Sequence, residues 1–282
     1  MDKIALYNHV CFSNSRTLTE RYSTSFSSAI RLLKPSIHAP IHGIYGFVRL
    51  ADEIVDSFQH INQAAQLEDF KVATFKAIED HFSINPILNA FQIVVNQYHI
   101  EHHLIESFFK SMEMDLHKST YQSYHEYSEY IYGSAEVVGL MCLNVFCKGD
   151  KRMIDKLKQP AKALGSAFQK INFLRDLNED YHQLNRTYFP GIDFNNLDDE
   201  NKEHIIQDIA KDFKEGLEGI VKLPLTSRLG VYVAYKYYYS LFNKIKKLPT
   251  KVIKNERVRI PDYNKLFIVF ESFFRYKLHK LA

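Results

Sequence analysis

The sequence predicts an all-α fold. Apolar residues recur at steps of three and four along most of the 282 residues, the spacing that gives a helix one apolar face. Gly and Pro, the usual punctuation of turns, number only 10 and 8, so the helices should be long. No stretch alternates apolar and polar residues as a half-buried strand does, and no hairpin dipeptide or repeat period is found. The expectation is eight or more helices around one core, in a single unit spanning residues 1–282.

Taken in order, residues 1–17 read as a short leader that ends in turn-forming Ser13, Asn14 and Ser15. A helix is expected over about 18–33, interrupted by Pro35 and Pro40. The next, 42–58, carries Ile44, Phe47, Val48, Ile54 and Val55 at helical spacing. Helices follow at 67–82, 87–98 and 101–117, with Asn85-Pro86 as a break between the first two. Another should run over 123–146 and stop at Gly149-Asp150. Residues 151–181 read as one long helix, and 185–196, with Pro190, Gly191 and several Asn, as a loop. The last helices are expected at 199–221, 226–247 and roughly 261–280.

Composition narrows the class. Hydrophobic residues make up 46% and charged residues 24%, as in ordinary globular proteins, but 21 Phe and 18 Tyr with no Trp are less ordinary. The net charge of +3 hides an asymmetry: residues 231–282 hold 12 Lys or Arg against 3 Asp or Glu. A basic segment of this kind suits anionic ligands, anionic lipid surfaces or nucleic acid. Cys11, Cys142 and Cys147 have no framework spacing and fit reduced thiols in the cytoplasm. The N-terminus lacks a signal-peptide layout, and no apolar run is long enough to span a bilayer. A cytoplasmic protein, at most peripheral to the inner face of the membrane, is expected.

The chemistry concentrates in two stretches. The first is L-A-D-E-I-V-D, which places Asp52 and Asp56 four residues apart, with Tyr45 and Arg49 on the same helical stripe. The second is Q-K-I-N-F-L-R-D-L-N-E-D at 169–180. There Gln169, Asn172, Asp176 and Asp180 share one face, while Ile171, Leu174 and Leu177 are left to pack. Each carboxylate pair has an Arg beside it, Arg49 or Arg175. Burying four carboxylates without cations is costly. Two such pairs read as the walls of one Mg²⁺–phosphate site, because Mg²⁺ takes one or two carboxylates and completes its shell with water and phosphate oxygens.

Other chemistries find no support. His102 and His103 with Glu106 lack the partners of a zinc site. There is no nucleophile elbow, Walker A loop or Rossmann glycine pattern, hence no nicotinamide half-domain. Tyr235, Tyr238 and Phe242 follow helical spacing and read as core or cavity lining, not as a nucleic-acid platform.

Set side by side, the motifs resemble those of the squalene/phytoene synthase family, in particular its bacterial phytoene-forming members. Y-S-T-S-F-S-S-A-I at 22–30 resembles the first-helix signature, and Y-G-F-V-R-L-A-D-E-I-V-D at 45–56 the first Asp-rich motif. Y-I-Y-G-S-A-E-V-V-G-L-M at 130–141 is similar to the central signature, with Ser134 and Glu136 as departures. The 169–180 stretch, followed by R-T-Y-F-P at 186–190, resembles the second Asp-rich motif and its trailing loop.

The resemblance implies an all-α isoprenoid-synthase helical bundle with a central cavity. It also implies a prenyl transferase of the 15-cis-phytoene synthase type, serving carotenoid biosynthesis. Two C20 geranylgeranyl diphosphates join head to head through a cyclopropyl (prephytoene) diphosphate, and diphosphate leaves at each half-reaction. By the same resemblance Asp52, Asp56, Asp176 and Asp180 hold Mg²⁺, with Mn²⁺ as a substitute, and Arg49, Arg175 and Arg257 contact diphosphate. Ser25, Gln169 and Asn172 donate hydrogen bonds nearby. Tyr45, Tyr130 and Tyr238 are cavity tyrosines whose faces suit a passing carbocation. Phe26, Val138, Gly139 and Leu140 line the prenyl cavity. No nicotinamide cofactor, nucleic acid or obligate protein partner is expected. The basic tail is expected to face an anionic membrane surface, because substrates and product of this kind are lipids. The first rival is a C15-using relative that makes squalene or dehydrosqualene; the second, ranked below it because all four carboxylates are present, is a non-catalytic helical assembly or interaction relative. Ile30, four residues after Phe26 and smaller than an aromatic, favours the longer tail.

Overall fold

The computed structural model of the chain describes residues 2–192 and 194–277. The described residues contain α1 (Lys3–Tyr22), α2 (Thr24–Ile30), α3 (His38–Asp56), α4 (Gln63–Asp80), α5 (Pro86–Tyr98), α6 (His102–His117) and α7 (Tyr124–Ile131). These are followed by α8 (Val137–Phe146), α9 (Lys151–Leu184), α10 (Asp199–Ile220), α11 (Arg228–Lys247), α12 (Thr250–Asn255) and α13 (Asp262–Lys277). A 3₁₀ turn, Pro35–Ile37, leads into α3, and a π-helical turn, Tyr132–Glu136, joins α7 to α8. Among the described residues the β-type contact is a single parallel bridge between Thr120 and Thr187. The all-α expectation is met. Residues 278–280 of the last expected helix lie outside the described residues.

Local chemistry explains most boundaries. Side chains of Asp2, Ser23, Asn62, Asn85, Ser123, Asp150 and Asp198 each accept a backbone N–H in the helical turn that follows, relieving donors that have no intrahelical partner. At the other end α4, α5 and α9 stop at His81, His99 and Asn185, which take left-handed φ values of 55°, 54° and 52°.

Four expectations need correction. Residues 3–17 are not a leader but the larger part of α1. Ser15, Thr17 and Thr19 donate their hydroxyls to the carbonyls of Cys11, Ser13 and Ser15 at 3.3, 3.0 and 2.8 Å, so the hydroxyls, that of Ser15 included, are satisfied inside the helix. Cys11, Ser15 and Thr19 form its buried stripe, and Gly46 of α3 lets Ser15 approach to where a Cβ would lie 3.0 Å away. The helix expected over 18–33 is split at Ser23, which is extended (φ −144°) and caps α2. Pro40 is not part of the break after that helix but sits in the first turn of α3, where a missing N–H costs nothing. The helix expected over 123–146 is broken by the π turn.

Two large apolar clusters hold most of the helices, and a small third one seats α13 on α11. One joins α3, α4, α5, α6 and α8 around Phe47, fully buried and stacked on Phe91 at 3.8 Å. The other joins α7, α9, α10, α11 and α12 around Phe173, Phe213 and Tyr188. The 34-residue α9 tolerates Pro160 in its interior while α10 crosses close by: a Cβ on Gly219 would fall 2.3 Å from Pro160. Between the clusters lies a cavity.

Candidate active site

The cavity measures about 1150 Å³ and is walled by α2, α3, α8, α9, α10, α11 and residues 257–261. Its polarity runs along the helices. On α9 the lining begins at Leu157, passes Ala161, Leu164 and Phe168, and ends at Asn172 and Arg175, a rise of roughly 27 Å. On α3 it begins at Ile41 and ends at Arg49 and Asp52. Both helices thus present apolar side chains first and polar ones last.

Of the four motif carboxylates, Asp52 lines the polar end, while Asp56, Asp176 and Asp180 lie outside the lining. Asp56 lies one turn beyond Asp52 on α3; Asp176 and Asp180 lie one and two turns beyond Asn172 on α9. The two walls face each other closely enough to feel one another. Asp180 is pushed up to about 7, first by burial, then by the charges of Asp176 and Asp56, against the pull of Arg186 and Arg175. Asp52 is pushed up to about 8, again by burial first and then by Asp56, with Arg49 opposing.

Cations knit this cluster together. Arg175 donates through Nε to Asp176 Oδ1 at 2.9 Å, and Arg257 reaches the same oxygen at 2.9 Å while its Nη1 binds Glu179 at 2.8 Å. Arg49 pairs with buried Glu53, stands 3.8 Å from Asp52 and lies over the ring of Tyr22, 4.5 Å from its centroid. Arg186, 9% exposed, bridges the walls: Nη1 donates to Asp56 Oδ1 at 2.9 Å and Nη2 to the Asp115 carbonyl at 2.9 Å.

The remaining site residues divide. Ser25, Phe26, Tyr45, Val138, Gly139, Gln169, Asn172, Arg175, Tyr238 and Arg257 all line the cavity, as does Ile30. Phe26 stacks on Tyr45 at 4.9 Å and Phe168 on Tyr238 at 3.9 Å. Burial pushes the Tyr45 hydroxyl up to about 12, so it remains neutral. Gln169 Oε1 accepts from Asn172 Nδ2 at 3.4 Å. Two residues fall elsewhere. Leu140 is turned into the first apolar cluster, because Val138, Gly139, Cys142, Leu143 and Phe146 take the cavity face of α8. Tyr130 is no cavity tyrosine: it precedes the π turn, is packed among Tyr121, Phe173 and Tyr188, and donates to Asp115 Oδ1 at 2.8 Å.

Asp115 and Arg186 are the residues that the motifs did not single out. Asp115, with a side chain 5% exposed, is pushed up to about 7 by burial, with Arg186 opposing and Asp56 adding. Arg186 stood in view at the head of R-T-Y-F-P, immediately after the second carboxylate pair. Asp115, in M-E-M-D-L-H, looks like any polar position of an amphipathic helix.

The donors present fit Mg²⁺. They are hard oxygens, two of the carboxylates are costly as anions, and the buried Asn172 Oδ1 has no hydrogen-bond partner. Among the described residues no three His, Cys, Asp or Glu side chains converge to hold an ion unaided.

Comparison with known proteins places this geometry. The squalene/phytoene synthase family model matches residues 19–264. The chain belongs to the squalene/phytoene synthase family. Among its relatives in the family, phytoene synthase of Pseudescherichia vulneris is 29% identical over 178 residues, 60% of this chain and 56% of that protein. The match thus spans a little over half of that relative's length. Phytoene synthase of Arthrospira platensis is 26% identical over 275 residues, 89% of this chain and 88% of that one. A crystal structure of a dehydrosqualene synthase in complex with ligand superposes with a TM-score of 0.83 at 21% identity, covering 98% of this chain and 99% of that one. The two chains therefore share one fold.

Proposed function

We propose that the chain joins two prenyl diphosphates head to head, using C20 geranylgeranyl diphosphate and forming phytoene through a cyclopropyl diphosphate. The observation that supports this reading is the meeting of two carboxylate pairs, from α3 and α9, at the polar end of a mainly apolar cavity. Its volume of about 1150 Å³ exceeds the ~300–1,000 Å³ usual for one small ligand, as two prenyl chains require.

Asp52, Asp56, Asp176 and Asp180 would hold Mg²⁺, with Mn²⁺ as a substitute. Ions held there would offset charge on the departing diphosphate. Arg49, Arg175 and Arg257 lie at the same end; exchanging a carboxylate partner for a diphosphate oxygen keeps each guanidinium paired. Asn172 brings an unpartnered amide oxygen. Ionisation leaves an allylic cation between the stacked pairs Phe26–Tyr45 and Phe168–Tyr238, whose ring faces stabilise positive charge. Apolar walls from Ile41 to Phe146 exclude the water that would quench it.

Incubating the protein with C15 or C20 diphosphate and Mg²⁺, with and without NADPH, tests the reading. Phytoene from the C20 substrate, independent of NADPH, is expected. Squalene as sole product would overturn the choice of substrate, and no diphosphate release from either would overturn the enzymatic reading.

A further inference from the structure

Helix α13 is two-faced in a way that packing does not explain. Its inner side sets Ile268 and Val269 against Val233 and Tyr237 of α11 and buries Ser272 completely. Lys236 of α11 pairs with its Glu271 at 3.5 Å. The outer side carries Phe267, Phe270 and Phe274, at the three- and four-residue steps of a single stripe, with Phe273 beside them. Their exposures are 66%, 64%, 51% and 45%. The rings of Phe270 and Phe274 touch, with centroids 4.7 Å apart. Phe267, Phe270 and Phe274, facing outward along one stripe, mark a surface for an apolar partner.

Charge and area indicate which one. Lys244 and Lys247 of α11 share a small surface pocket with Pro261 and Asn264, one turn before Phe267. Lys244 is hydrogen-bonded to the Arg259 carbonyl at 2.7 Å, so cations frame the start of the stripe. They belong to the segment with 12 basic and 3 acidic residues. The three rings of the stripe together offer roughly 360 Å² at about 200 Å² per Phe, well short of the ~800 Å² per partner of a stable protein interface. Aromatic residues on one side and Lys or Arg alongside are the features of a helix lying in a membrane interface. No described helix is long and apolar enough to cross a membrane.

We propose that α13 docks the protein on bilayers containing anionic lipids. Its phenylalanines enter the boundary between headgroups and acyl chains, and Lys244, Lys247 and Arg259 meet lipid phosphates. The consequence concerns the cavity: Arg257, Val258, Arg259, Ile260 and Pro261, which form part of its wall, lead directly into α13. Docking brings that wall next to the lipid in which prenyl chains dissolve. Only this consequence rests on the prenyl reading; the docking does not.

The test is sedimentation of the full-length chain with phosphatidylcholine vesicles, with and without phosphatidylglycerol, at low and high salt. The wild type should sediment with the anionic vesicles at low salt. Phe267→Ser/Phe270→Ser/Phe274→Ser and, separately, Lys244→Glu/Lys247→Glu should lower the bound fraction several-fold. If circular dichroism shows the triple variant misfolded, single Phe270→Ser and the Lys pair carry the test. Wild-type protein left in the supernatant, variants that bind as the wild type does, or a phenylalanine-dependent dimer in sedimentation equilibrium would each overturn docking. Turnover of detergent-dispersed prenyl diphosphate, measured on the same preparations, should be unchanged by Phe270→Ser. Turnover without vesicle binding would remove the docking proposal and leave the enzymatic one standing.

Discussion

Arg186 and Asp56 stand 130 residues apart in the chain and 2.9 Å apart in space, Nη1 to Oδ1. This contact ties the loop after α9 to the last turn of α3, and so ties one carboxylate wall to the other. The guanidinium also reaches Asp115, 2.9 Å to its carbonyl and 3.7 Å to its carboxylate. One buried cation thus serves three acceptors from two helices.

Arg186→Gln should therefore destabilise the fold by about 3 kcal/mol, the low end for removing one member of a buried ion pair. The low end applies because Asp56 is 40% exposed and can rehydrate. Urea melts of the two proteins measure this, and Arg186→Lys should recover only part, since an ammonium cannot reproduce the forked geometry.

Stability without Mg²⁺ should fall as pH rises. Asp52 and Asp180 titrate near 8 and 7 in the folded protein, against about 3.9 when unfolded. Their folded-state values are raised, so the folded chain holds protons that the unfolded chain has released. Their contribution is greatest below the unfolded value and is lost as pH climbs through 7 to 8. His42 acts in the opposite sense: burial pushes it down to about 4, so it costs stability as pH falls below its usual range. Thermal melts in chelator between about pH 6.5 and 8.5 isolate the carboxylates. Tm should decline across that window, and Asp52→Asn should flatten the slope.

What could be read without coordinates was the pattern that local spacing carries. Asp52 and Asp56, like Asp176 and Asp180, interrupt an otherwise regular amphipathic pattern, and a helix of any context puts them on one face. Asp115 was illegible because its significance comes from Tyr130 and Arg186, which are 15 and 71 residues away. The helical character of residues 3–17 was hidden by composition: Ser13, Asn14 and Ser15 favour turns locally, and tertiary packing of Cys11 and Ser15 on α3 prevails. Tyr130 and Leu140 were misplaced for a geometric reason, since the π turn at Tyr132–Glu136 separates α7 from α8 and resets which positions meet the cavity. The six residues of α12 are too few to show a period.

Chain-length preference should respond to Ile30, which lines the cavity and is 2% exposed. Ile30→Phe fills space that a long prenyl tail needs. In paired assays, turnover of C20 diphosphate should fall at least about tenfold relative to C15 diphosphate, the effect of roughly 1.4 kcal/mol of lost fit. An equal loss on both substrates would place Ile30 in the core only.

The central claim is that the carboxylates of α3 and α9 act together to ionise a prenyl diphosphate. The most direct measurement is release of inorganic diphosphate from C20 geranylgeranyl diphosphate in the presence of Mg²⁺, by the wild type and by Asp176→Ala. Asp176 holds both Arg175 and Arg257 at 2.9 Å, so circular dichroism must first show that the variant is folded. The account predicts Mg²⁺-dependent release by the wild type and a loss of at least about 10²-fold in the variant. Full activity in folded Asp176→Ala, or no release by the wild type, would contradict it.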